Sequence, residues 1–303
     1  NPGAYLQMAG PNTAITGRGT FTLSPGATLG ITSAGGITTT GTNSGNILTT
    51  AGRVYDDEAN YIYNGTGSQV SGDGLPETVN SLGVAGTSDL TLTNGPSKSY
   101  PLIISDDLTI SSDGGLAVGP AQAVTVDGNV VNDGDLDLEA DGTGMASLLI
   151  KGSYSGAGNA KSEIFMTGGD AGTDMWRWHY FAVPSQQPSA SLAALYGNDF
   201  MKYDDAASLT DKSEGWKWYD GYNPATGLPN PANGFSNLNV SEGYAYYHDN
   251  DRTMELNSSS LLTSLGTVNL NYAKFGWNLI GNSLTCGLNW DKVDFTGGVD
   301  YSV

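Results

Sequence analysis

Three groups of residues in this chain have the types and spacing to do chemistry. The first is the run Asp133, Asp135, Asp137, Glu139 and Asp141. Every second residue is a carboxylate, so a strand would carry all five on one face and Leu136 and Leu138 on the other. Carboxylates that converge on a turn are hard oxygen ligands of the kind Ca2+ takes, about six to eight at a time. Asp137-x-Glu139-x-Asp141-Gly142 matches the first half of an EF-hand-like loop, but Leu148 stands where an acidic residue should close it. A Ca2+ site would therefore rest on Asp137, Glu139 and Asp141. The competing reading is a solvated outer face that blocks edge pairing.

The second group is aromatic: Trp176, Trp178, Trp216, Trp218, Tyr219 and Tyr222. Aromatic faces pack on sugar rings, so an exposed set would be a binding platform for a glycan. Each tryptophan pair alternates around a charged residue, Arg177 or Lys217, as half-buried strands do, and the competing expectation is that one face of each pair is core. The third group is His179, His248 and Cys286. His179 lies on a strand with no G-x-S-x-G motif, and His248 sits beside Asp249, Asp251 and Arg252 in an expected turn. Two distant histidines and one cysteine do not make a zinc site, and Cys286 reads as a small hydrophobe. Asp56-Asp57-Glu58 and Asp204-Asp205 read as loop surface. A glycosidase pair is defined by carboxylate separation in space, and residues 1–150 offer a substrate acid only the scattered Arg18, Arg53 and Lys98. No glycine-rich segment follows a strand and opens a helix, which removes a phosphate loop.

Charge narrows the partners. With 12 Lys and Arg against 31 Asp and Glu, the formal net charge is −19, which repels nucleic acid and anionic lipid. No apolar run reaches the roughly 18 residues of a membrane-spanning helix, so membrane insertion is not expected. A single cysteine cannot form an internal disulfide.

The elements that must position these residues are short strands. Between residues 108 and 150, aliphatic pairs alternate with polar residues: Leu108/Ile110, Leu116/Val118, Val124/Val126, Leu136/Leu138 and Leu148/Ile150. Turn pairs separate them, among them Asp113-Gly114, Asp127-Gly128 and Asp133-Gly134. No such strand can bury its face alone, so the strands must stack on copies of themselves. Phe21/Leu23 and Leu29/Ile31 across Pro25-Gly26 extend the pattern upstream. Residues 152–162 are small and polar and mark the domain boundary. Beyond it lie all the tryptophans, with strand-like runs at 176–183, 216–219, 243–247 and 277–280 and one helical turn at 189–196. The expected fold is all-β: a right-handed parallel β-helix over 1–160, followed by a β-sandwich-like domain over 161–303.

Two segments carry a family resemblance. Residues 53–82, RVYDDEANYIYNGTGSQVSGDGLPETVNSL, resemble the recurring "Y-Y-N-G … Q … G-x-G-L-P … V-N-x-L" unit of large repetitive surface proteins of Bacteroidetes, adhesin-like cargo of the type IX secretion system. In the second half, Trp178-His179-Tyr180-Phe181-Ala182-Val183-Pro184 resembles their "W-H-x-[IF]-[SA]-x-P" strand, and Gly276-Trp277-Asn278-Leu279-Ile280-Gly281-Asn282 their "G-W-N-L-[IV]-G-N" element. Ser283–Gly287 departs from the Pro-Tyr-Pro usual there. The resemblance implies a non-enzymatic extracellular or cell-surface protein: a stiff stalk displaying a β module for cell-surface, glycan or self-association contacts. The alternative is a carbohydrate-binding or carbohydrate-active protein of the lyase or hydrolase kind. The chain opens at Asn1-Pro2-Gly3 in mid-repeat and stops at Tyr301-Ser302-Val303 without a closing element, so a larger parent polypeptide is expected.

Overall fold

The computed structural model describes residues 3–93, 101–169, 176–197, 199–208, 210–222 and 226–296; Lys98 and the two chain ends lie outside them. The first half is a β-solenoid of about six turns. Seven strands stack in one sheet: Tyr5–Gln7, Thr28–Ile31, Asn60–Tyr63, Ser81–Val84, Leu108–Ile110, Val130–Asn132 and Tyr154–Ser155. Leu82 stands beside Leu108, and Leu108 beside Val130, all in parallel register. A turn of roughly 22 residues is in the period range of stacked-repeat folds.

Two more stacks complete the walls. One runs through Thr66–Val70, Thr87–Thr91, Gly115–Val118, Asp135–Leu138 and Asn159–Met166. The other contains Thr78–Val79, Leu102–Ile104, Ala123–Val126 and Ser147–Ile150. Because side chains alternate across a strand and parallel register repeats the alternation, like residues fall into columns. Leu90, Leu116, Leu136 and Ala160 form one buried column, and Val79, Ile104, Val126 and Ile150 another. All five aliphatic pairs of residues 108–150 are buried as the alternation requires.

The strand Asn159–Met166 runs through the expected boundary. Its first half extends a solenoid sheet in parallel, and Ala160–Met166 pairs antiparallel with Arg252–Ser258. The third sheet meets the C-terminal segment too: the Leu148 N–H donates to the Thr285 carbonyl at 2.8 Å and the Thr285 hydroxyl to the Leu148 carbonyl at 2.9 Å. Buried apolar side chains form two groups, one from Met8 to Ala160 with Leu261 and one from Met166 to Leu256.

The second group surrounds a four-stranded antiparallel sheet in the order Arg177–Phe181, Tyr244–His248, Phe200–Tyr203, Trp216–Trp218. Phe181, Phe200, Tyr244 and Tyr246 bury one face of it among Leu192 and Ala193 of the helix Ser189–Tyr196. Met166, Met254 and Leu256, from the last strand pair of the solenoid sheet, share this core. The run expected as a strand at 277–280 forms none; only Ile280 bridges to Glu242.

Candidate functional site

The opposite face of that four-stranded sheet is aromatic, with exposed rings around a buried centre of Ala245 and Met201. Trp178 and Tyr180 alternate with His179 and Phe181, so they project away from the core. Trp178 stands beside Tyr247, Tyr180 beside Ala245, Ala245 beside Met201, Met201 beside Trp218, and Tyr203 beside Trp216. Trp176 is 43% exposed, Trp178 45% and Tyr180 68%, while Tyr222 is also exposed and Trp216 and Trp218 are half-buried.

The rings form two clusters. Tyr247 stacks on both Trp176 and Trp178, with centroids 4.6 and 4.5 Å away and planes 20° and 26° apart. Tyr180 and Trp216, from the two outermost strands, lie within 16° of parallel at 6.2 Å, with Ala245 and Met201 between them in the sheet. Tyr203 meets Trp216 edge-on at 5.7 Å, and Trp218 meets Tyr222 edge-on at 5.9 Å. Offset and edge-on pairs of this kind hold ring orientations in place.

Five of the six aromatic residues singled out by spacing therefore meet on one surface. Tyr219 does not: it has the opposite parity and packs at the margin of the core, where burial and then the charge of Asp220 raise its hydroxyl pKa. Against the expectation that one face of each tryptophan pair is core, Trp176 and Trp178 are exposed and Phe181, Phe200, Tyr244 and Tyr246 fill the interior, whereas Trp216 and Trp218 are half-buried. Sequence spacing missed Tyr180, Tyr203 and Tyr247. Tyr180 was within reach, since Trp176, Trp178 and Tyr180 share one alternation.

The acidic run alternates as expected, with Leu136 and Leu138 buried and Asp133, Asp135 and Asp141 exposed. Its carboxylates are not gathered at one point, since residues two apart on a strand stand about 6.6 Å apart. Asp137 pairs with Lys161 Nζ at 3.4 Å, and Lys161 also pairs with Glu163 at 3.1 Å. Asp141 accepts from the Thr143 backbone at 2.7 Å and from its hydroxyl, which lowers its pKa. Glu139 is raised by burial and by Glu163 and Asp137. Among the described residues no three His, Cys, Asp or Glu side chains form a metal-binding group, so Asp137, Glu139 and Asp141 do not assemble as a Ca2+ site. A shallow trough of about 380 Å3 lies on this outer sheet, bordered by Asp89, Asp135, Asp137 and Lys161.

Two further expectations change. Asp205 is not loop surface: its buried carboxylate accepts backbone N–H groups of Ala273, Lys274, Phe275 and Gly276 at 2.6–3.1 Å. Burial opposes the charge, but the four donors prevail and bring its pKa down to about 2. His248 lies in a strand, not a turn. It is buried against Tyr246 at 4.9 Å and His179 at 5.5 Å, and burial holds its pKa below the ordinary histidine value. His179 is tied to the Thr167 carbonyl at 2.7 Å. Cys286 is half-buried, which raises its thiol pKa.

Comparison with known protein families, curated proteins and solved structures returns no match.

Proposed function

We propose that this chain is a non-enzymatic, extracellular display protein, in which the solenoid acts as a stiff stalk and the C-terminal module makes contact with a surface partner. The observation that carries the reading is the exposed aromatic face of the four-stranded sheet, carried on a module that shares strand pairing with the solenoid end. Stacked strands bonded along one axis resist bending, which suits a spacer. The antiparallel Arg252–Ser258 pairing and the Thr285–Leu148 bonds couple module to stalk, so force on one is passed to the other. The resemblance of residues 53–82 and 178–184 to adhesin-like cargo of type IX secretion supports a cell-surface location. A right-handed helical sense for the solenoid belongs to the same reading. So does a β-sandwich-like module over 161–303, supported by the core that the four-stranded sheet shares with Met166, Met254 and Leu256.

The test is adhesion without turnover. Beads coated with the full chain are expected to hold to bacterial cells or to glycan-coated surfaces, and polysaccharides incubated with the chain are expected to keep their length. Release of new reducing ends or unsaturated sugars would make the protein an enzyme and overturn the reading. So would a failure of the beads to hold to any such surface.

A further inference from the structure

We propose that the aromatic face of the four-stranded sheet binds an uncharged polysaccharide chain laid across its strands, from Trp176 and Trp178 at one edge to Trp216 and Trp218 at the other. The proposal rests on the display reading and names the partner's chemistry. Four strands span about 14 Å between their outer axes, room for several sugar units. One ring cluster gathers around Tyr247 on the first two strands, and the other, Tyr180 with Trp216, joins the two outermost strands. A contiguous exposed apolar patch on a monomer marks a contact surface.

Charge decides among occupants. The cations on these strands, Arg177, Lys202 and Lys217, alternate to the opposite side of the sheet. Lys202 is paired with Glu242 at 3.7 Å and Lys217 with Asp204 at 3.3 Å. Among the described residues of these strands no cation is left on this face for a uronate, a sulfate or a phosphate, and the net charge of −19 repels both a polyanion and a second copy of the chain.

The polar groups decide against a hydrocarbon. The exposed rings of Tyr180 and Tyr222 carry hydroxyls, and those of Trp176 and Trp178 carry indole N–H groups. Covering these with an aliphatic partner would strip their water and return no hydrogen bonds. Sugar hydroxyls supply those bonds while the C–H faces of the rings lie on the aromatics. Uncharged carbohydrate is the chemistry that satisfies both.

The test is affinity electrophoresis of the full chain through gels that each contain one polymer: neutral glucan, mannan or xylan, and acidic pectate or alginate. Retardation is expected by at least one neutral polymer and by neither acidic one. Tyr180→Ala and Trp178→Ala are each expected to weaken it at least tenfold, about one stacked ring. Tyr180 is 68% exposed, so its removal leaves the fold in place, and Tyr5→Ala, on the exposed far end of the solenoid, is expected to change nothing. Free migration of the intact chain in every neutral gel overturns the proposal, as does unchanged retardation of both variants. A shift in sedimentation of either variant without glycan would assign the face to self-association and overturn it as well. Cell adhesion without any neutral-polymer binding would sink this proposal alone and leave the display reading standing. Polymer cleavage with ring-dependent binding would sink the display reading and leave the platform.

Discussion

Leu148 and Leu149 are neighbours on the strand Ser147–Ile150, chemically identical and opposite in orientation: Leu148 is 1% exposed and Leu149 39%. Truncating each to alanine tests the stacked interior directly. At Leu148 about three carbon groups leave a buried site, worth roughly 2.4 kcal/mol at about 0.8 kcal/mol per methylene. Val124 sits beside it on the preceding turn and the Leu148 backbone is bonded to Thr285 on the other side, so the gap does not close easily. The cavity term brings the expected cost to about 3–4 kcal/mol. Leu149→Ala, on the outer face, is expected to cost under about 1 kcal/mol. Urea denaturation followed by far-UV circular dichroism measures both, with the m-value required to stay constant. Each turn touches only its neighbours, so amide exchange at 124–126 and 148–150 should localise the loss. Equal costs, or a larger cost at Leu149, would refute the inward and outward assignment of the whole column.

Asp205 has a folded pKa of about 2, below its unfolded value near 4. The stability it lends is full above that unfolded value and is lost as pH falls toward 2. Asp205→Asn should therefore speed proteolysis around residues 273–276 at neutral pH, with little difference from the native chain at the acid end. His248 is a base whose folded pKa is depressed, chiefly by burial. The unfolded chain takes up its proton first, so stability is full above roughly pH 6.5 and falls on acidification below it. Urea midpoints between pH 7.5 and 5 should show this slope, and His248→Gln should flatten it. Gly36 has φ +65° and an added Cβ would lie 2.0 Å from the Val70 carbonyl oxygen, whereas at Gly67, φ +78°, it would meet open space. Gly36→Ala should cost well over the roughly 1–2 kcal/mol of left-handed strain expected for Gly67→Ala, and similar melting temperatures for the two would contradict the close packing of turns.

The solenoid was legible because its signal is local. Alternation places Leu108, Ile110, Leu116 and Val118 inside whatever the rest of the chain does, and Asp-Gly pairs mark where strands stop. The strand Val130–Asn132 was missed because its second inward residue is polar. Asn132 is buried only because it donates to the Tyr154 hydroxyl at 3.0 Å and the Asn159 carbonyl at 2.9 Å, partners one turn further along. The role of Asp205 is not legible for the same reason, since its four donors lie some seventy residues downstream and no local pattern announces them.

The aromatic face shows the division most plainly. Alternation alone separates Trp176, Trp178 and Tyr180 from Phe181 and assigns them opposite sides of a strand. It cannot say which side is covered. That was decided when the helix Ser189–Tyr196 and the strand pair carrying Met166, Met254 and Leu256 closed over Phe181, Phe200, Tyr244 and Tyr246. A period of two belongs to the backbone of each strand, whereas burial belongs to whatever distant segment arrives to exclude water, and only the folded chain brings that segment to one face.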